Sequence, residues 1–313
     1  TTGSPSSINW SALSWSLGHV PTACENAEII LNNTGTSTDA VSVVLDINVS
    51  VNSFKMTNIS PSTTKGHIFQ TNGSVTFNVA NDMTITAPGG NKYNRCAFAN
   101  TLLTIVGGNL ILGRAVPSAT EGHSAVGSTG TNPNQTYMLY GDMIYYPRGY
   151  TTDEWTKFIF DKGGNQNIVN NTTATDTIQP VLYENLVIGF NNATTVTFTG
   201  STYDAYMELV GRAGVTIGTN STMVLPSNYS MNVIGGGTPG YFIMNPGSRL
   251  KLGGDQSVAG SYGVAGSNFP SGYSPYTFDP TSTIEYNGTS ALTQTIYNGV
   301  TYANLEATNS AGS

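Results

Sequence analysis

The chain has 313 residues, only 9% of them charged, and a formal net charge of −7. Globular proteins average about 25% charged residues, so this surface must rely on uncharged hydroxyl and amide side chains. The 11 basic residues are scattered singly, which argues against a nucleic-acid partner or an anionic membrane surface. No apolar run approaches the ~18 residues of a transmembrane helix, and we expect no membrane insertion.

Residues 1–27 show no strand-like alternation and contain Trp10 and Trp15. A stack of β-coils needs a cover on its terminal rung, because an exposed rung offers unpaired backbone and apolar side chains. We therefore predict an N-terminal cap over residues 1–27, with the tryptophans lying over the first coil.

The two cysteines, Cys24 and Cys96, have no metal-type spacing with the three histidines, and we predict neither a metal site nor a cofactor. In an oxidising compartment the two would form one disulfide near the N-terminal end. The other interpretation is a pair of buried thiols. Both interpretations stay open at this point.

Residues 28–114 alternate short apolar segments with turns rich in Asn, Gly, Ser, Thr and Pro. Typical segments are VSVVLDINVSV (41–51) and GSVTFNV (73–79). Period-2 alternation of β-branched residues predicts short, half-buried strands. We assign residues 28–114 to β-helix coils.

Residues 115–157 break this pattern with a run rich in Gly, Ser and Thr, followed by a segment dense in aromatic residues. We predict an insertion standing out from the stack, where binding function concentrates on repeat scaffolds. Its aromatic rings would stack on sugars or pack against a protein, or else roof the coil beneath. The candidate ligand-binding residues are Tyr137, Tyr140, Tyr145, Tyr146, Tyr150 and Trp155. A second aromatic segment, 261–278, carries the same two interpretations.

Residues 158–313 contain an internal repeat. Gln166 aligns with Gln294, and the Tyr-x-Asn-Leu sequence that ends at Leu186 returns at Leu305. Repetition of strand-like segments is typical of a solenoid, in which each unit buries its apolar face on the next. We predict an all-β, right-handed parallel β-helix with roughly 22 residues per coil, at about 4.8 Å per rung. The alternative is a β-sandwich array. We expect the coils of 158–313 to continue beyond the end of this chain.

Two motifs carry a family resemblance, an opening W…W…PT…EN…I and the repeat F/Y…G…Q…I…Y-x-N-L. The matching residues are Trp10, Trp15, Pro21, Thr22, Glu25, Asn26 and Ile29, then Phe160, Gly163, Gln166, Ile168, Tyr183, Asn185, Leu186 and Ile188, and again Tyr286, Gly288, Gln294, Ile296, Tyr302, Asn304 and Leu305. This pattern resembles secreted, repetitive, right-handed parallel β-helix surface proteins of Bacteroidota-type bacteria. The resemblance implies an exported adhesin, matrix component or glycan-handling protein.

An enzymatic alternative is a polysaccharide lyase, which needs clustered carboxylates for Ca²⁺ and a basic residue on a neighbouring coil. Arg249 and Lys251 share one strand face, and Asp255 follows them. Adjacent Asp153 and Glu154 point to opposite faces of an extended segment and make a poor acid/base pair. Asp142 beside Tyr145 is a further weak candidate.

Asn-x-Ser/Thr triplets recur along the chain, for example at Asn48. They indicate glycosylation only weakly in a chain of this composition, and ladders of stacked Asn or Thr side chains are an equally good interpretation. The leading hypothesis is an extracellular, non-enzymatic, structural or adhesive segment of a bacterial surface or matrix protein, which forms filaments or binds glycans or other copies of itself.

Overall fold

Parallel β-strands account for almost all the regular structure of this chain. A computed structural model of it describes residues 7–31, 42–59, 68–71, 75–86, 93–96, 103–113, 123–126, 135–146, 149–151, 156–171, 182–183, 185–200, 205–208, 214–227, 229, 231–234, 240–254, 267–289 and 293–308. The chain divides into a first unit, residues 1–156 with 171–179, and a second unit, residues 157–170 with 180–313.

Fifteen strands belong to the described part of the first unit. They are β1 (Ser7–Asn9), β2 (Asn26–Leu31), β3 (Ser42–Leu45), β4 (Val49–Val51), β5 (Ser53–Asn58), β6 (Ile68–Thr71), β7 (Thr76–Val79), β8 (Met83–Thr86), β9 (Tyr93–Cys96), β10 (Leu103–Val106), β11 (Leu110–Leu112), β12 (His123–Val126), β13 (Gln135–Leu139), β14 (Met143–Tyr145) and β15 (Gly149–Thr151). A single 3₁₀ turn, Trp10–Ala12, follows β1.

Each strand of the first unit pairs with the strand three places along the chain. Strands β4, β7, β10 and β13 form one ladder, column A, and β2, β5, β8, β11 and β14 form a second, column B. Strands β1, β3 and β6, and strands β9, β12 and β15, form the remaining ladders. Every third strand pairing in parallel means that the chain winds in coils of three strands, which is a β-helix.

The core of the first unit lies inside these coils. Phe54, Met83, Leu110 and Met143 occupy one register position on consecutive rungs of column B, and all are fully buried. Burying such a side chain stabilises the fold by roughly 1.5–3 kcal/mol. The period-2 pattern of the sequence therefore places one apolar stripe of each strand in the interior.

Trp10 lies at the amino-terminal end of this core. Its ring centroid is 4.7 Å from that of Trp15, 6.2 Å from Phe54 and 5.8 Å from Phe77, and its side chain is fully buried. Ala27, the register partner of Phe54 on the first rung, is small, so the Trp10 ring reaches the second rung. The inward residues of β2 are covered as a result.

The second unit contains fourteen strands in its described part. They are β16 (Thr156–Phe160), β17 (Asn165–Asn170), β18 (Leu182–Tyr183), β19 (Asn185–Ile188), β20 (Thr195–Gly200), β21 (Ala205–Glu208), β22 (Gly214–Ile217), β23 (Thr222–Leu225), β24 (Met231–Ile234), β25 (Tyr241–Met244), β26 (Arg249–Leu252), β27 (Tyr276–Phe278), β28 (Thr283–Tyr286) and β29 (Asn304–Ala307).

The second unit repeats the same arrangement. Its column A is β16, β19, β22, β25 and β27, its column B is β17, β20, β23, β26, β28 and β29, and β18, β21 and β24 form a third ladder. Every pairing that the described residues show, in either unit, is parallel. The parallel β-helix is therefore confirmed, and the β-sandwich alternative, which needs antiparallel pairs, is wrong.

The coil is longer than the sequence analysis predicted. Val196, Met223 and Leu250 pair on consecutive rungs of column B and lie 27 residues apart in sequence. The estimate of roughly 22 residues was too short because each full coil carries three strands and three connections. Where a connection lengthens, as between Leu250 and Ile284, the period grows to 34 residues.

Similar β-turns carry the second unit from column A to column B. The N–H groups of Ser221, Ser248 and Ser282 donate to carbonyl oxygens three residues earlier, at 3.1, 3.0 and 2.8 Å. All three serines are buried and directly precede the column B strands. The corner of each coil is thus a small, hydrogen-bonded turn that stacks on the next.

Asparagine side chains form a ladder along the corresponding edge of the first unit. The Asn52 Nδ2 donates to Asn26 Oδ1 at 2.8 Å, and the Asn81 Nδ2 donates to Asn52 Oδ1 at 2.7 Å. The predicted Asn ladders are present, although these residues are not in Asn-x-Ser/Thr triplets. Asn48, which is in one, accepts a hydrogen bond from the Thr76 N–H at 2.9 Å.

Candidate functional site

The last described rung of the second unit is open. Leu305 of β29 pairs in register with Ile284, and this position is occupied by Leu250 and Met223 on the preceding rungs. Those three side chains are at most 2% exposed, whereas Leu305 is 42% exposed. An inward-facing apolar residue is therefore left uncovered on a strand whose outer edge has no partner strand among the described residues.

Charged side chains cross the outer face of the same three rungs. Arg249 Nη1 lies 2.9 Å from Glu285 Oε2 and 2.5 Å from Glu306 Oε2, and Lys251 Nζ lies 3.3 Å from Glu285 Oε2. Each carboxylate thus meets a cation one or two rungs away. The cluster holds β29 against β28 and β26.

These contacts shift the pKa values of the groups in opposite directions. Hydrogen bonding to Glu306 raises the pKa of Arg249 above its ordinary value, and Glu285 adds to the effect. Burial by itself raises the pKa of Glu285, but hydrogen bonds from Thr308, Arg249 and Lys251 outweigh it and leave that pKa below its ordinary value. Both groups are therefore kept charged.

An aromatic cluster fills the coil behind this face. The Tyr286 and Tyr302 hydroxyl oxygens are 2.8 Å apart, the Tyr297 N–H donates to the Tyr286 hydroxyl at 3.0 Å, and the Tyr302 hydroxyl donates to the Tyr297 carbonyl. Phe269 stacks on Tyr297 with centroids 4.7 Å apart. Burial raises the pKa of Tyr302, so its phenol stays neutral and the bonded network is preserved.

A groove of ≈ 730 Å³ opens beside this cluster. One wall is β27, the last described strand of column A, and the other is the segment of residues 299–303. The lining contains no charged side chain: Tyr276, Thr277, Phe278, Pro280, Gly299, Val300, Thr301, Tyr302 and Ala303. The sequence analysis assigned no site to this position.

The aromatic residues predicted to bind a ligand do not form one surface. The segment 135–146, which was assigned to an insertion, contains strands β13 and β14 of the columns. Tyr137 and Tyr145 face inward on those strands and are 1% and 0% exposed, so their rings belong to the core. Tyr140 and Tyr146 are half-buried.

Other predicted site residues lie wholly or partly outside the described residues. Tyr150 belongs to β15, but only its backbone is described, and Trp155 is outside the described residues. The carboxylates Asp153, Glu154 and Asp255 are outside them too. In the second aromatic segment, Phe269 and Tyr273 are buried.

The predicted disulfide between Cys24 and Cys96 is absent. Cys24 is a free, exposed thiol in the turn before β2, which also contradicts the buried alternative for this residue. Cys96 ends β9, the strand that follows β8, and β8 is two rungs from β2. Two rungs are about 10 Å, farther than the ~7 Å that a disulfide allows between Cα atoms.

Within the described residues, no group of three or more His, Cys, Asp or Glu could hold a metal ion. The same residues include no helix with the length and apolar character needed to cross a membrane. Comparison of the chain with protein-family models, with curated proteins and with solved structures gives no match. The fold defines a parallel β-helix protein, and its function has to be argued from its own surfaces.

Proposed function

We propose that this chain is a non-enzymatic structural segment of an extracellular bacterial surface or matrix protein, whose open carboxyl-side rung accepts a further β-layer. The observation that carries the proposal is the exposure of Leu305 at an inward-facing position of β29. An uncovered apolar side chain beside a free strand edge is a template for strand pairing.

The first described rung of column B in the first unit behaves differently. Its inward residues Ala27 and Ile29 are 2% and 9% exposed, because the segment containing Trp10 covers them. One terminal rung therefore has a cap built into the chain, whereas β29 has none among the described residues. A structural segment that is joined to others at β29 explains this difference.

The charge cluster favours a structural role over the lyase alternative. A lyase base must be available to take a proton from the sugar, but Arg249 is bound to Glu285 and Glu306, and its pKa is raised. Lys251 is bound to Glu285 as well. Polyuronates incubated with the chain and Ca²⁺ should give no unsaturated product, and a product whose formation requires Arg249 would overturn the proposal.

The extracellular location is supported by the low charge, the surface of hydroxyl and amide groups and the resemblance of the two sequence motifs. Side-chain ladders such as Asn26, Asn52 and Asn81 use these amides to join rungs instead of binding a substrate. The chemistry of the chain is therefore directed to holding its own coils together.

Sedimentation of the isolated chain over a wide concentration range tests the proposal. We expect concentration-dependent association of the wild type, and loss of association in Leu305→Lys, because a charge cannot be buried against an added layer. Phe190→Lys is the matched control, since Phe190 is 59% exposed in a turn of the same unit. A wild type that stays monomeric throughout, or equal behaviour of the two variants, would contradict the proposal.

A further inference from the structure

Strand β27 presents a second free edge. The Phe242 N–H donates to the Pro275 carbonyl at 3.0 Å, and the Asp279 N–H donates to the Met244 carbonyl at 2.9 Å. Residues alternate between the two sides of a parallel strand, so the set 275, 277 and 279 faces β25. The backbone N–H and C=O groups of Tyr276 and Phe278 then point the other way, into the groove.

The side chains of β27 are also incompletely covered. Tyr276 and Phe278 pair in register with Phe242 and Met244 of the preceding rung. Phe242 and Met244 are 0% and 1% exposed, whereas Tyr276 and Phe278 are half-buried. The next rung of column A would cover these two rings, and the groove lies where that rung would be.

The opposite wall of the groove is held by hydrogen bonds. Tyr302 is fixed through its hydroxyl to Tyr286 and to the Tyr297 carbonyl. The Asn304 Nδ2 donates to the Pro280 and Ser282 carbonyls, both at 2.9 Å, and ties the end of this segment to the turn after β27. The groove is thus preformed between two fixed walls, as binding sites commonly are.

We propose that this groove binds one extended polypeptide segment, which adds to β27 as a parallel strand. The free backbone groups of Tyr276 and Phe278 supply the hydrogen bonds, and their rings supply the apolar contact for alternate side chains of the segment. The lining has no charge, so the bound segment is uncharged and apolar at every second residue. A neutral glycan would use the rings but not the row of backbone groups.

This site goes beyond the proposed function, because β27 belongs to column A and β29 to column B. The two edges can be altered separately. Leu305→Lys should leave peptide binding unchanged, so that failure of one proposal is distinguishable from failure of the other.

The probe is a fluorescent synthetic peptide with the sequence of residues 240–247. This sequence forms the natural neighbour of β27 on its other edge and has the required alternation, with Phe242 and Met244 facing inward. On the free edge, the N–H groups of the peptide residues corresponding to Tyr241, Ile243 and Asn245 face β27. N-methylation at Ile243 should weaken binding about tenfold or more, since one hydrogen bond and a steric fit are lost. N-methylation at Phe242 should change it little.

Two protein variants separate the backbone from the ring. Phe278→Ala removes the ring, and Phe278→Pro removes both the ring and the N–H that faces the groove, a substitution that edge strands tolerate. We expect the proline variant to bind the peptide about tenfold more weakly than the alanine variant. Equal effects of the two N-methylated peptides on the wild type, or binding of a neutral hexasaccharide in place of the peptide, would overturn the proposal.

Discussion

Gln294 Oε1 accepts a hydrogen bond from the Gly288 N–H at 3.0 Å, and Gln166 Oε1 accepts one from the Lys162 N–H at 2.9 Å. In each case the donor is the second residue after an aromatic that ends a strand, Phe160 or Tyr286. The repeat found in the sequence therefore preserves one turn and the glutamine that fastens it.

The two copies of this repeat occupy different columns of the second unit. In the first copy β16 pairs with β19 of column A, and in the second β28 pairs with β29 of column B. Both copies thus run from one rung to the next. The sequence repeat marks a coil, and its position around the coil is free to change.

Replacing Gln294 should loosen the second copy. Its Nε2 also donates to the Leu252 carbonyl at 2.6 Å, so the side chain joins the turn to the preceding rung. We expect Gln294→Ala to lower the free energy of unfolding by about 1–2 kcal/mol, since two hydrogen bonds are lost at a half-exposed site. Chemical denaturation measures this. Thr295→Ala, at an exposed neighbouring position, is the control, and an equal effect there would remove the role assigned to Gln294.

Replacing Asp161 should cost more. This carboxylate is fully buried, and its Oδ1 accepts from the N–H groups of Phe190, Asn191 and Asn192 at 2.8–2.9 Å. Asp161→Ala leaves three donors unsatisfied and should lower the free energy of unfolding by about 3 kcal/mol or more. Asp161→Asn keeps the shape without the charge and should cost less. Thermal unfolding of both variants checks the order, and an alanine variant as stable as the asparagine variant would contradict it.

Acidification should weaken the last rungs through Glu285. Its pKa is lowered from an ordinary 4.5 in the folded chain. The carboxylate therefore contributes its stabilisation above pH 4.5, and this contribution is lost as the pH falls through the lowered pKa. Thermal unfolding below and above pH 4.5 measures the loss, with Glu285→Gln as the matched variant. We expect the stability difference between wild type and variant to shrink in acid, and a difference that is constant with pH would contradict this role of Glu285.

Much of the fold follows from patterns that act over short distances. The segment GVTIGTNSTMVLPS forms strand β22, a turn and strand β23, as the alternation of apolar residues predicts. Strand alternation and turn chemistry are local properties, so a single sequence contains them. The parallel arrangement came from the repeat and from the absence of hairpin turns.

The details that depend on distant partners were not predicted. The partners of Arg249 are 36 and 57 residues away, so its ion pairs are identifiable only once the register of the coils is known. Tyr137 and Tyr145 were assigned to a ligand surface because aromatic density alone does not say which face of a strand is inward. With a 27-residue period, both fall on the buried stripe. Knowledge of that period would also have aligned Leu305 with Ile284.

Hydrogen exchange at β29 tests the central claim most directly. The backbone amides of Asn304–Ala307 are measured in dilute and in concentrated samples of the wild type and of Leu305→Lys. We predict that protection of these amides rises with concentration in the wild type only, because an added strand occupies the free edge. Exchange that is independent of concentration in the wild type, or a rise that Leu305→Lys shares, would contradict the claim that this rung is where the chain is joined to its partner.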